Sequence, residues 1–204
     1  MTASAYTAVL HARDTLFVRL RAATLLQKIA LVLGFAALTG LAAQVRIPLP
    51  FTPVPVTAQT VVVLLSGVLL GARGGAAAQA LYVGLGAAGL PWFAGLQGGH
   101  MALLGPTGGY LLGFILAAGF TGWCTDRWSG FRRLPGLLGL TAFSGLVLVY
   151  LPGLLQLGFW MVLGGIPVTL DRLLALGLLP FLAGDAVKIA AAALLARALR
   201  GAGR

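Results

Sequence analysis

Six apolar runs, each long enough for a helix and each broken by arginine, proline or glycine, constrain this 204-residue chain more than any other feature. The first is Leu26–Val45, and the last runs from Pro180 to Arg197. Only 9% of the residues are charged and mean hydropathy is +0.99, whereas a soluble domain carries about 25% charged residues. A surface so poor in charge cannot keep a globule of this size in water, so the chain reads as an all-α integral membrane protein. The net charge of +10 does not form one patch but punctuates the apolar runs. That is the membrane pattern and argues against a nucleic-acid partner. Cys124 is the sole cysteine, which excludes an intrachain disulfide.

Six spans are expected, at about 26–45, 58–71, 76–90, 107–125, 137–163 and 180–199. Residues 1–25 precede them as an amphipathic lead-in, with Arg13, Arg19 and Arg21 among Leu16, Phe17, Val18 and Leu20. A four-residue tail, 201–204, follows. The lead-in lacks a signal-peptide cleavage site, and it has few serines for a transit peptide. Spans two and three are short and joined by Gly71-Ala-Arg-Gly-Gly75, which reads as a tight hairpin turn. Pro152-Gly153 marks a kink in span five, and 164–179 reads as a short amphipathic piece.

With both termini cytoplasmic, eleven basic residues fall inside: Arg13, Arg19, Arg21, Lys28, Arg73, Arg127, Arg132, Arg133, Arg197, Arg200 and Arg204. Arg46 and Arg172 fall outside, and Lys188 stays in the membrane. The positive-inside rule therefore favours this orientation in the plasma membrane.

Two loops then lie outside. Ile47–Thr57 holds four prolines, which forbid a helix and stiffen the backbone. Pro91–Gly109 is rich in glycine and carries Trp92, Phe93 and His100. Glycine allows close backbone approach and exposes N–H groups such as those of Gly98 and Gly99, while the aromatics supply apolar walls. The alternative for Trp92 and Phe93 is a role as interface anchors.

The last span carries Gly184-Asp-Ala-Val-Lys188, with an acid and a base three residues apart on one helical face. Each charge costs roughly 2.5–3.5 kcal/mol near the centre of a bilayer. The chain has only four acidic residues, so Asp185 either neutralises Lys188 structurally or meets a polar ligand in a cavity. Asp185 lies about 7–8 Å below Pro180, within reach of both outer loops. An intramembrane enzyme would need a nucleophile and base or a metal cluster. His11, His100 and unpaired carboxylates supply neither, so no cofactor or metal is expected. A structural or channel protein with a self-neutralising pair is the remaining alternative. No Gly-x-x-x-x-Gly-Lys-Ser/Thr loop is present, so an ATP-driven cycle would have to borrow its ATPase.

Three stretches, Pro50-Phe-Thr-Pro-Val-Pro-Val-Thr-Ala-Gln-Thr60, Leu104-Gly-Pro-Thr-Gly-Gly-Tyr-Leu-Leu-Gly-Phe114 and Gly184-Asp-Ala-Val-Lys188, resemble the BioY family. These are the biotin-specific substrate-binding S components of energy-coupling-factor (ECF) vitamin transporters. The likeness spans about Leu26–Arg197 and implies a six-helix S-component fold that captures biotin from outside. It also implies a membrane-embedded T component and paired ATPase subunits, with small residues of the first helix, here approximately Ala36 and Gly40, touching the T component. For that ligand an ionised Asp185 can accept from ureido N–H groups, and Lys188 can meet either the ureido carbonyl or the carboxylate. Arg46, Thr57 and the loop N–H groups of Gly98 and Gly99 are candidates for the carboxylate end. Tyr82, Trp92 and Phe93 are candidates for the walls, with Gln59 and Gln156 as further polar contacts.

Overall fold

The computed structural model describes residues 24–200. The amphipathic lead-in, the tail at 201–204 and the chain termini lie outside the described residues.

Helix α1, Leu25–Gln44, starts at a capping box in which Gln27 N–H donates to Thr24 Oγ1 and Thr24 N–H to Gln27 Oε1. A two-residue ribbon follows, β1 (Arg46–Ile47) against β2 (Val56–Thr57), so the proline-rich loop is a hairpin closed at its foot. Helix α2 is Gln59–Ala87, α3 the five residues His100–Leu104, and α4 Gly108–Arg127. Then come α5 (Leu134–Phe143), a wider π-helical turn (Ser144–Leu148) and α6 (Tyr150–Leu163). Helix α7 is Leu170–Gly177, and a 3-10 turn at Leu179–Phe181 leads into α8, Leu182–Arg200. Five helical stretches are long and apolar enough to cross a membrane. Their outward faces carry Leu33, Leu116, Leu151, Leu155, Phe159 and Leu194, all exposed, as contact with hydrocarbon requires.

Helix α2 is not one rod. At Gly71 the backbone takes φ 79°, ψ −176°, and the chain doubles back. Gln59 Nε2 reaches Tyr82 Oη at 2.8 Å and Gln79 Nε2 reaches Ser66 Oγ at 3.1 Å, which an unbroken helix would hold tens of ångströms apart. The reversal uses the one residue Gly71; Gly74 and Gly75, expected within the turn, are already helical. Gly75 instead meets Gly67, where a Cβ would come within 2.7 Å of the opposing Cα. Asp126 Oδ2 accepts from Ala72 N–H at 3.1 Å, capping the returning arm where its dipole is positive.

Backbone-to-backbone packing sets the rest. A Cβ on Gly122 would sit 2.3 Å from Ala72 N, and one on Gly67 2.4 Å from Ala118 O, so α4 crosses both arms of α2. At its other end α4 crosses α6, with Gly113 against Val149 and Gly109 against Pro152 O. The kink expected at Pro152-Gly153 falls one turn earlier, as the π turn ending at Leu148. The ring of Pro152 clashes with the carbonyl four residues back, and the widened turn relieves it.

Inside, Gln79 links Thr39 of α1 to Ser66 of the first arm, and all three are fully buried. Gln79→Leu would leave Thr39 and Ser66 without this partner. It should cost about 1–3 kcal/mol, measured by thermal unfolding in detergent.

The described basic residues segregate along the bundle. Lys28, Arg73, Arg127, Arg132, Arg133 and Arg197 lie at the end that holds the Gly71 reversal, while Arg46 and Arg172 lie at the other.

Candidate functional site

The site is built where α8 begins. The 3-10 turn containing Pro180 aims the first turns of α8 inward, and Asp185 is only 3% exposed. Asp185 Oδ1 forms an ion pair with Lys188, and its Oδ2 accepts a hydrogen bond from the hydroxyl of Tyr150 on α6. Lys188 Nζ also donates to the Thr57 carbonyl at 3.1 Å, bridging α8 to the foot of the proline-rich hairpin. Tyr110, near the start of α4, meets Tyr150 edge to face with ring centroids 5.7 Å apart, and donates to Gly177 O at 2.8 Å.

These groups line a cavity of about 430 Å³, within the roughly 300–1,000 Å³ typical of small-ligand sites. Its roof is the proline-rich hairpin, which Thr52 fastens across the mouth by donating to Leu176 O on α7 at 2.6 Å. Phe93, Met101, Leu111, Phe114 and Phe181 supply apolar wall. A carboxylate accepts about four hydrogen bonds and an ammonium donates three. With two partners placed on each, Asp185 and Lys188 keep capacity for a guest.

Of the residues singled out in the sequence, Asp185, Lys188, Thr57, Gln59, Phe93 and Arg46 line this cavity. Arg46 is exposed, its guanidinium lying over Gly95, where a Cβ would approach within 2.6 Å of its Nη1.

Five others lie off the cavity wall. Tyr82 is fully buried behind it, where its hydroxyl accepts from Gln59. Trp92 turns away, donating through Nε1 to Tyr82 O at 3.0 Å and packing on Gly40. Neither Trp92 nor Phe93 is an interface anchor, since Phe93 is buried on Gly86 and Trp92 is wedged between α1 and α2. Gly98 packs on the Leu90 carbonyl, and Gly99, at φ 91°, donates its N–H to Gly86 O. Both shape the loop and leave no N–H on the wall. Gln156 Nε2 donates to the carbonyls at the end of α3 (Leu103, Leu104, Gly105) rather than into the cavity.

Ala36 and Gly40 require correction as a partner surface. Both are buried, and a Cβ on Gly40 would come within 3.0 Å of Trp92, so this pair packs inside the molecule. Ala30, Gly34 and Ala37 are the exposed small residues of α1, and Ala30 and Gly34 stand one turn apart on its outward face.

Tyr150 escaped the sequence reading, and Tyr110 entered it only as an aromatic of the stretch Leu104–Phe114, without a role for its hydroxyl. A signal existed: a tyrosine inside an apolar span has a hydroxyl that must find a partner, and Asp185 was the acceptor in need of one. Gln97 and Thr107, also on the wall, carry no such signal.

A helical membrane bundle holding a ligand-sized cavity with a buried acid, amine and phenol defines a membrane-embedded small-molecule binding protein. Comparison with known proteins narrows this. A family model described as the BioY family matches residues 12–204. The probable biotin transporter BioY of Methanothermobacter thermautotrophicus is 49% identical over 137 residues, covering 66% of this chain and 87% of that protein. The biotin transporter BioY of Thermotoga maritima is 38% identical over 166 residues, covering 81% and 91%. Among solved structures, the S component for biotin from an ECF-type ABC transporter superposes with a TM-score of 0.77 at 27% identity, covering 89% of this chain and 96% of that one. The chain belongs to the BioY family.

Proposed function

We propose that this protein captures biotin as the substrate-binding subunit of an ATP-driven ECF transporter. One observation carries the reading: the buried Asp185–Lys188 pair faces a closed-over, ligand-sized cavity instead of packed side chains. A merely self-neutralising pair has no need of such a space, which disfavours a structural or channel protein. Biotin presents a ureido ring with two N–H donors and one carbonyl, a thioether ring, and an aliphatic chain ending in carboxylate. Asp185, held by Tyr150, accepts from the ureido N–H groups, and Lys188 donates to the carbonyl. The apolar wall takes the thioether ring and chain, and Arg46, which has no carboxylate partner among the described residues, attracts the carboxylate.

The bundle crosses the plasma membrane six times, counting each arm of α2 as one crossing. The reversal at Gly71 supports that count, and the segregation of basic residues supports a cytoplasmic location for the end away from the cavity. ATP is hydrolysed by paired partner subunits coupled through a T component. The outward pair Ala30 and Gly34 is better suited than Ala36 and Gly40 to close helix contact with that component.

Isothermal titration of the detergent-solubilised chain with biotin, desthiobiotin and thiamine tests the reading. Saturable binding of biotin, weaker binding of desthiobiotin and none of thiamine are expected. Absence of biotin binding, or equal binding of thiamine, overturns it. For orientation, single cysteines placed between Pro48 and Thr57 should react with an impermeant maleimide from outside intact cells and be protected by biotin. Reaction only from the cytoplasmic side overturns the topology.

A further inference from the structure

The basic end of the bundle carries a second concave surface, unconnected with the cavity. Its floor is the last two turns of α4, with Phe120, Trp123 and Cys124, and its wall is the turn bearing Trp128 and Phe131. The rings form one cluster: Trp123 meets Trp128 at 4.8 Å and nearly perpendicular, and Phe120 meets Phe143 at 5.5 Å. Trp123, Trp128 and Phe143 are nonetheless 48%, 44% and 45% exposed, so the cluster faces outward and is not core.

Charge accompanies it. Along α4, Phe120, Trp123 and Arg127 recur at three- and four-residue spacing and therefore share a face. That face continues the lipid-facing stripe of Leu112 and Leu116, both at least half exposed. Arg127 thus stands where an apolar stripe reaches the end of its helix. Arg132 is occupied, its Nε donating to Thr125 O at 2.8 Å and its Nη2 to Asp126 O at 3.1 Å. The exposed side chains of Arg127 and Arg133 take no carboxylate among the described residues, and Asp126 directs Oδ2 to Ala72.

The geometry points to a binding site for one anionic glycerophospholipid, its phosphate between Arg127 and Arg133 and an acyl chain along Trp123 and Phe120. A zwitterionic lipid fills the groove equally well but gains less from the two cations. The aromatic belt common at membrane surfaces accounts for exposed tryptophans but does not require a groove flanked in sequence by two exposed arginines that take no carboxylate among the described residues.

Native mass spectrometry of the full-length chain, titrated with phosphatidylglycerol and with phosphatidylcholine of identical acyl chains, tests the site. One phosphatidylglycerol should be retained with a preference of roughly thirtyfold, since each of the two basic side chains near an anionic headgroup contributes about 1 kcal/mol. Arg127→Gln/Arg133→Gln should bring the preference close to one while leaving biotin binding unchanged, which shows that the variant is folded. Phosphatidylglycerol carrying a brominated acyl chain should quench tryptophan fluorescence at lower mole fraction than brominated phosphatidylcholine, and Trp123→Phe/Trp128→Phe should abolish that difference. Equal retention of the two lipids by the wild type, or a preference untouched by the arginine double variant, overturns the proposal. So does a groove whose tryptophans are shielded only when the T component is added, which makes it a protein interface.

Discussion

Asp185→Asn is expected to weaken biotin binding by about two to three orders of magnitude while the protein remains extractable and helical. Truncating one member of a buried, hydrogen-bonded charge pair costs roughly 3–5 kcal/mol, because the partner is left uncompensated. Here the partner is Lys188, which would keep only the Thr57 carbonyl. The carboxamide retains the shape of the side chain and can still accept from Tyr150, so loss of affinity reports charge and not a void. Asp171→Asn is the control: it removes an exposed carboxylate from α7 and should leave binding unchanged. A double variant, Asp185→Leu/Lys188→Met, separates binding from folding. Replacing both charges by apolar groups should restore most of the stability lost in Asp185→Asn without restoring biotin affinity. Unchanged affinity in Asp185→Asn would mean that the pair only neutralises itself.

Gly109→Ala is expected to be more damaging than one methyl group suggests. A Cβ at Gly109 would lie 2.1 Å from Pro152 O, and that oxygen is backbone within α6. Overpacking costs about 1–3 kcal/mol even where side chains can shift. Where only two helices moving apart can relieve it, the cost belongs at or above the top of that range. The same movement would separate Tyr110 from Tyr150, so biotin affinity should fall with stability. Gly84→Ala offers the comparison. No atom lies within 4 Å of the added carbon, and relief of glycine's backbone entropy should stabilise the helix by about 0.5–1 kcal/mol. Thermal unfolding of both variants in detergent, with and without biotin, checks the pair. Equal melting temperatures for Gly109→Ala and the wild type would remove the crossing of α4 and α6 as the support of the site.

The residues that could be read from the sequence are those whose chemistry is costly in their setting. Asp185 and Lys188 stand out because charge in an apolar run requires a reason, and the prolines of 48–55 because no helix accepts them. The hairpin of spans two and three was visible in its glycines, although its reversal at Gly71 alone was not. Trp92, Gly98, Gly99 and Gln156 went astray because a loop's composition says what it can do but not which way its groups turn. Gln44 illustrates this: its amide donates to the Trp92 and Phe93 carbonyls while its oxygen accepts from Leu96 N–H, and these contacts settle the loop.

By itself, then, the amino-acid order determined that the chain is a helical membrane protein and that one acid and one amine lie within the last helical run. Only the tertiary structure decided which face of each helix looks inward. The reason is physical. In lipid, the outside of a helix is as apolar as its inside, so periodicity carries little information about facing. Direction was settled instead where glycines such as Gly109, Gly113 and Gly122 let backbones touch, and those contacts brought Tyr110 and Tyr150 to Asp185 and turned Ala36 and Gly40 inward.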